Sequence, residues 1–276
     1  MESINVFGGK GFVGSRYVEL YPNCVVNQRN DYSPKTNNIL YFISTVDNYN
    51  VFYDPFIDIN TNLTTLITVL QNIQDRENTV FNFISSWFVY GDTDLPAKET
   101  SYCNPKGFYS ITKRTAEQML ISYCQTFGIK YRILRLANVV GLSDRKASTK
   151  KNAIVHMIKS LHKNEPVPLY DGGQLYRDII DLDDCVRAID MVLTRGEVNE
   201  IYNIGNGKAV SLYDIVMDAR RMLGSTSEIT YVDAPNFHKI VQVKSMYMDN
   251  SKLQSLGYTP EYDTRDIIQR VIDKCE

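Results

Sequence analysis

A chain of 276 residues, 43% of them apolar, can bury a substantial core as one large domain or two small ones. Thirty basic and thirty-two acidic residues leave a net charge of −2, so there is no overall field for nucleic acid or an anionic membrane, and any anion must be bound locally. Five cysteines, odd in number and without a CxxC pair, argue against a disulfide framework or a zinc site; His156, His162 and His238 lack ligand spacing, so no metal is expected. The N-terminus has no basic stretch leading into a long apolar run, and no window reaches the roughly 18 apolar residues of a membrane span, which predicts a cytoplasmic protein.

The first predicted strand is Ile4 to Phe7, followed by the turn Gly8-Gly9-Lys10-Gly11-Phe12-Val13-Gly14 and a helical stretch from Ser15 to Leu20. The apolar runs Cys24 to Val26, Ile39 to Ile43 and Val80 to Ile84 are too short for helices and have turn-rich flanks, which predicts buried parallel strands. Leu63, Leu66, Val69, Leu70 and Ile73 recur at helical spacing, predicting one helix over Asp58 to Ile73. A second helix is predicted from Gly107 to Phe127, then a strand from Tyr131 to Leu136. Strands alternating with helices make this an α/β fold, a Rossmann-like doubly wound parallel sheet.

Beyond Gly141 the chain changes character: a basic loop from Asp144 to Lys151, a helix near Ala153 to Leu161, a turn at Asp171-Gly172-Gly173 and a closing Leu256-Gly257-Tyr258-Thr259-Pro260. This predicts a dinucleotide-binding domain over residues 1–145 and a smaller C-terminal lobe over 146–276, some of whose segments return to the sheet. His156, within an apolar helical stretch, reads as a packing residue.

Glycines 8, 11 and 14 sit where a strand meets a helix, which lets the backbone approach a pyrophosphate with the helix N-terminus facing its charge. The same glycines could merely pack helix on strand. Tyr109 and Lys113, four residues apart on a predicted helix, share one face. A neighbouring ammonium favours the phenolate, so the pair can serve proton transfer, or it can be an ordinary exposed pair. Ser85 and Ser86 directly follow the Val80 to Ile84 strand and deliver hydroxyls to the C-terminal edge of the sheet, where ligands bind in such folds.

Glycine turn, strand-end serine, YxxxK helix and the run Arg135-Leu136-Ala137-Asn138-Val139-Val140-Gly141 occur in this order. With Asp58-Ile59-Asn60 and Thr64, Gly172-Gly173-Gln174-Leu175-Tyr176-Arg177-Asp178, Tyr202-Asn203-Ile204-Gly205 and Asp249-Asn250-Ser251-Lys252-Leu253, the chain resembles the extended short-chain dehydrogenase/reductase family over nearly its whole length. That family includes nucleotide-sugar epimerases, dehydratases and 4-keto reductases.

The resemblance implies catalysis by Tyr109, Lys113 and Ser86. It implies a cofactor held by Gly8, Lys10, Gly11, Phe12, Val13, Gly14, Arg29, Ser44, Asn60 and Lys113, and a nucleotide sugar held by Ser86, Tyr109, Asn138, Arg177 and Lys239. Asn138 and Arg177 would face the substrate diphosphate; Asn138 could instead cap its loop, and Arg177 could pair with Asp178 or Asp181.

Two departures stand out. Few residues separate Arg29 from the strand at Ile39, so a helix and strand usual in the family are deleted; and Phe237-His238-Lys239 stands where relatives often carry an arginine. Trp87 and Phe88 occupy the places of the acidic pair that dehydratases use, which argues against dehydration. The expected activity is therefore NAD(P)-dependent reduction of a 4-keto sugar nucleotide, with 4-epimerisation around a tightly held NAD as the alternative and a non-catalytic dinucleotide sensor as a third reading. Arg29 at the end of the second strand, with no carboxylate before Asp31, favours NADP(H) over NAD(H). A homodimer is expected by analogy with relatives.

Overall fold

The computed structural model describes residues 3–141, 152–241 and 243–275. The basic loop expected from Asp144 to Lys151 lies outside them.

The first half supplies five of the six strands of the main sheet. In chain order come β1 (Ile4–Phe7), α1 (Phe12–Leu20), β2 (Cys24–Val26), β3 (Asn38–Tyr41), α2 (Phe56–Ile59), α3 (Thr65–Gln71), β4 (Val80–Ser86), α4 (Phe108–Phe127), β5 (Lys130–Leu136) and β6 (Asn138–Val140). The second half follows with α5 (Ala153–His162), β7 (Val167–Tyr170), β8 (Tyr176–Arg177), β9 (Ile179–Asp181), α6 (Leu182–Arg195), β10 (Glu200–Ile204), β11 (Val210–Ser211), α7 (Leu212–Leu223), β12 (Ile229–Val232), α8 (Asn236–Val241), α9 (Ser251–Ser255) and α10 (Thr264–Ile272).

Six strands form one parallel sheet in the order β10-β5-β4-β3-β1-β2. Alternate residues of each strand serve opposite faces, as the pleat requires. Ile39, Tyr41, Phe81, Phe83 and Ile133 pack against Leu66, Val69 and Leu70 of α3 and Ala116 and Leu120 of α4. Val6, Leu40, Ile84 and Leu134 pack on the other face with Tyr17 of α1 and Cys185, Ile189 and Val192 of α6. A separate core joins Val155 and Ile158 of α5, Ile215 and Ala219 of α7, and Ile267, Ile268 and Val271 of α10 over the short pair β7–β12.

The helix expected over Asp58 to Ile73 is interrupted. Residues Asn60–Thr64 form a π turn between α2 and α3. The cause is Asn62, a polar residue on the otherwise apolar stripe that continues through Leu66 and Val69. Its amide is buried and spans three segments: Oδ1 accepts from the Thr45 N–H at 2.9 Å and the Ser44 hydroxyl at 3.1 Å, while Nδ2 donates to the hydroxyls of Thr45 and Thr112, each at 2.9 Å. A widened turn turns this side chain inward without breaking the helix.

The shortened connection expected after Arg29 is present: β2 and β3 lie on either side of β1, joined by residues 27–37 with no helix between them. Asn5 and Asn27 organise this crossing. Asn5 Nδ2 donates to the Val25 carbonyl and to Asn27 Oδ1, its Oδ1 accepts the Lys35 N–H, and Asn27 Nδ2 donates to the carbonyls of Asp31 and Ser33. No helix among the described residues is long and apolar enough to cross a membrane.

Candidate active site

A cleft of about 760 Å³ opens at the C-terminal edge of β1, β3, β4 and β5. At one end is the glycine turn. Gly8 takes φ +79°, a left-handed conformation that favours glycine, and Gly11 N–H donates to the Gly8 carbonyl at 2.9 Å. A Cβ on Gly14 would come within 2.5 Å of that same carbonyl, so turn and helix touch where only glycine fits. Gly11 is the N-cap of α1 and offers no side-chain cap, and the first turn carries no acid. The leading N–H groups of α1 therefore face the cleft beside Lys10, a place suited to phosphate oxygens.

At the middle of the cleft, β4 ends in Ser85 and Ser86, and α4 brings Tyr109 and Lys113 alongside. Tyr109 is buried, and burial pushes its pKa up; hydrogen bonding by Ser86 and Ser44 pulls the other way, and the charge of Asp58 adds to the rise. Lys113 is buried too, and its ammonium donates to the Ile84 carbonyl at 2.7 Å while lying 4.0 Å from the centre of the Phe83 ring. Loss of hydration pushes Lys113 down to about 7, partly offset by Glu117. In this geometry the ammonium is engaged by a carbonyl and a ring, and desolvation is the largest influence on the phenol.

Behind these two lies a buried ion-pair network that spacing also placed there, one helical turn past Lys113. Glu117 is fully buried and accepts from Ser85 Oγ at 2.6 Å, Arg135 Nε at 3.0 Å, Arg135 Nη2 at 2.8 Å and Arg114 Nη1 at 2.7 Å. Trp87 and Phe88 stack at 3.9 Å, and the edge of Phe88 meets Tyr109 at 6.0 Å, which gives the cleft an aromatic wall.

Of the residues expected to hold cofactor or substrate, Gly8, Lys10, Gly11, Phe12, Val13, Gly14, Ser44, Ser86, Tyr109, Lys113 and Asn138 line this one cleft. Four others lie outside its lining. Arg29 is exposed just past β2, although Lys10 Nζ donates to Gln28 Oε1 at 2.8 Å and so ties that strand end to the glycine turn. Asn60 is exposed on the π turn; the asparagine that reaches inward is Asn62. Lys239 is exposed on α8.

Arg177 is buried behind Trp87, 5.4 Å from its ring, and it donates to the carbonyls of Tyr176, Val243 and Lys244. The alternatives of pairing with Asp178 or Asp181 are not realised. Asp178 accepts the N–H groups of Asn206, Gly207 and Met248, and Asp181 accepts from Asp183 N–H and Arg270. Burial without a carboxylate lowers Arg177 to about 10. Missed in the sequence were Asp58, Asn62, Phe42 and Val46, which border the cleft or brace it; only Asn62, polar on an apolar stripe, left a readable signal.

A smaller cavity of about 280 Å³ lies between α1 and α10, but its arginines are already paired: Arg16 with Asp183 at 2.6 Å, and Arg270 with Asp181 at 3.0 Å.

Residues 35–205 match the model of the NAD dependent epimerase/dehydratase family. The chain belongs to that family. It is accordingly an NAD(P)-dependent enzyme of a group that acts on nucleotide sugars. It is 27% identical to a Methanocaldococcus jannaschii protein named "Putative UDP-glucose 4-epimerase", over 98% of this chain and 97% of that one. The fold matches a Thermotoga maritima UDP-glucose 4-epimerase solved with UDP-glucose (TM-score 0.86, 20% identity, 99% of this chain and 100% of that one). It matches equally an RMD structure from Pseudomonas aeruginosa in complex with NADPH (TM-score 0.86, 19% identity, 100% and 99%).

Proposed function

We propose that this family member interconverts nucleotide sugars that differ in configuration at C4, with Tyr109 moving the proton. The observation that carries the reading is the meeting of Ser86, Tyr109 and Lys113 in one cleft with the glycine turn. The full-length similarity to a protein named as a UDP-glucose 4-epimerase favours epimerisation over the reduction expected from the sequence.

The Gly8–Gly14 turn and the α1 N-terminus would hold the dinucleotide pyrophosphate, with Lys113 at the nicotinamide end and Ser44 beside it. When bound, the nicotinamide supplies the hydride acceptor or donor. The protein's part is to hold the sugar oxygen between Ser86 and Tyr109, to take its proton on the phenol oxygen, to let the 4-keto sugar turn so that it presents the opposite face of its carbonyl carbon, and to return the proton to the same oxygen. Asn138 and, behind Trp87, Arg177 would face the diphosphate, and the lobe after residue 146 would supply the remaining sugar-nucleotide wall, with Lys239 at its margin. Ile111 and Met119, exposed on α4, fit pairing into a homodimer through that helix.

Reduction of a 4-keto sugar is the second reading. The upward shift of Tyr109 favours it, because a protonated phenol is the form that completes a reduction. It goes with NADP(H) and with Arg29 on the 2′-phosphate, whereas epimerisation goes with retained NAD.

The test is incubation with UDP-hexoses and 4-keto nucleotide sugars. Epimeric product without net cofactor consumption is expected; stoichiometric NADPH consumption selects the reductase, and dinucleotide binding without turnover of any sugar overturns both. Tyr109→Phe should abolish turnover and spare dinucleotide binding.

A further inference from the structure

Behind the phenol sits a charge that the reaction above does not use. Asp58 on α2 is fully buried. Its Oδ1 accepts from the Thr45 hydroxyl and, at 3.2 Å, from Asn50 Nδ2, while its Oδ2 meets no donor among the described residues. One oxygen served and the other bare leaves a carboxylate whose charge is poorly compensated.

The carboxylate is also held close to the catalytic group. Thr45 follows Ser44, and Asn62 fixes both, through its bonds to the Ser44 hydroxyl and to the N–H and hydroxyl of Thr45. The same Asn62 grips Thr112 on α4, one residue short of Lys113 and three past Tyr109. Asp58 and the phenol are therefore mounted on one braced unit. Among the described residues the cations near Tyr109 are committed elsewhere: Lys113 is engaged by Ile84 and Phe83, and Arg135 and Arg114 are bound to Glu117. Asp47 caps the turn that carries Asn50, and so adds negative charge on that side.

We propose that Asp58 is a positioning residue for Tyr109, a buried charge that makes the phenolate costly and so keeps the proton on the phenol between proton transfers. Whenever a 4-keto sugar is reduced at this site, its carbonyl carbon would gain a hydride from reduced nicotinamide and its oxygen the phenol proton, and Tyr109 would be left as a phenolate facing a carboxylate. Like charges in a dry site oppose that state, so the phenol is driven to recover its proton. The charge of Asp58 accordingly raises the Tyr109 pKa alongside burial.

The idea rests on Tyr109 as the acid–base group, but its test does not need turnover. Ultraviolet difference titration, wild type minus Tyr109→Phe, reports ionisation of this one phenol. In the Asp58→Asn background the same difference should begin about one pH unit lower or more. Asn50→Asp, on a partly exposed turn, should move it upward, since it adds a second carboxylate to the cluster.

A folded Asp58→Asn protein with an unchanged onset overturns the proposal. Should that variant not fold, an unchanged onset in Asn50→Asp overturns it instead. Retention of turnover by Tyr109→Phe would sink the functional reading alone and leave the titration to decide the role of Asp58.

Discussion

Glu117→Gln isolates the buried network beneath the site. In the native fold two carboxylate oxygens accept four donors: Ser85, two nitrogens of Arg135, and Arg114. A glutamine has one acceptor oxygen and turns an N–H group toward at least one guanidinium, whichever way the amide is set. Arg135, 1% exposed, would keep one bond to the amide oxygen, the Glu99 carbonyl at 3.3 Å and the Tyr90 ring at 4.6 Å, but no counter-charge. Breaking a buried pair from one side costs about 3–5 kcal/mol. At roughly 2–4 °C per kcal/mol for a chain near this size, the melting temperature should fall by about 6–20 °C.

The pH dependence follows from the same pair. Arg135, with hydrogen bonds from it, Ser85 and Arg114, holds Glu117 below the usual carboxylate range, so its stabilisation is complete above about pH 4.3 and is lost as pH falls through the lower folded value. The wild type should lose stability faster than Glu117→Gln over that acid window. Thermal unfolding monitored by circular dichroism between pH 3 and 8 measures both effects. A Glu117→Gln protein that melts within a degree of wild type at pH 7 refutes the argument. Replacing Arg135 by Met in the same chain should return part of the loss, because no buried cation is then left unpaired.

Gly14→Ala should cost about 1–3 kcal/mol by overpacking and weaken dinucleotide binding, because the new methyl would lie 2.5 Å from the Gly8 carbonyl; isothermal titration and thermal melts check the two losses together. Lys113→Met should abolish turnover yet stabilise the fold. Each tenfold by which burial weakens the hold of Lys113 on its proton costs about 1.4 kcal/mol, a penalty complete below the folded value of about 7 and relieved as pH rises toward the unfolded value. The gain in melting temperature should therefore be larger at pH 6 than at pH 9, and an equal gain would contradict it. Asn62→Leu strips the Thr45 N–H of its partner and takes one bond from each of the Ser44, Thr45 and Thr112 hydroxyls, which keep their others; the unsatisfied N–H should cost about 1–3 kcal/mol and the loosened site should lower kcat more than it raises KM.

What the sequence made legible is what short-range pattern controls. Apolar runs placed β1 and β2 at Ile4–Phe7 and Cys24–Val26 and put β4 and β5 within two residues of their observed ends, because buried parallel strands have no polar alternation to confuse them; β2 differs from the burial expected of it, being an edge strand with Val25 exposed. Helical spacing brought Tyr109, Lys113 and, unnoticed, Glu117 onto one face of α4. The interrupted helix at Asn60–Thr64 was hidden because its cause is a set of partners in the loop after β3 and on α4, distant in sequence. The surroundings of Lys113 were hidden for the same reason: a backbone carbonyl and a phenylalanine ring leave no charge signature to read. The direct crossing from β2 to β3 was legible from length alone.

That crossing has a consequence for the thickness of the molecule. A helix laid over β1 would put about 10 Å of protein between the strand and water, whereas an extended cord puts roughly half of that. The asparagine in the middle of Ile4-Asn5-Val6-Phe7 then makes sense as the strand's own fastening for a thin cover: it holds the cord at Lys35 and, through Asn27, at Asp31 and Ser33. At this edge the wall is one chain deep. The amides of β1 beneath it are shielded by a pair of side-chain carboxamides where a relative with the longer connection would have a full layer of apolar packing.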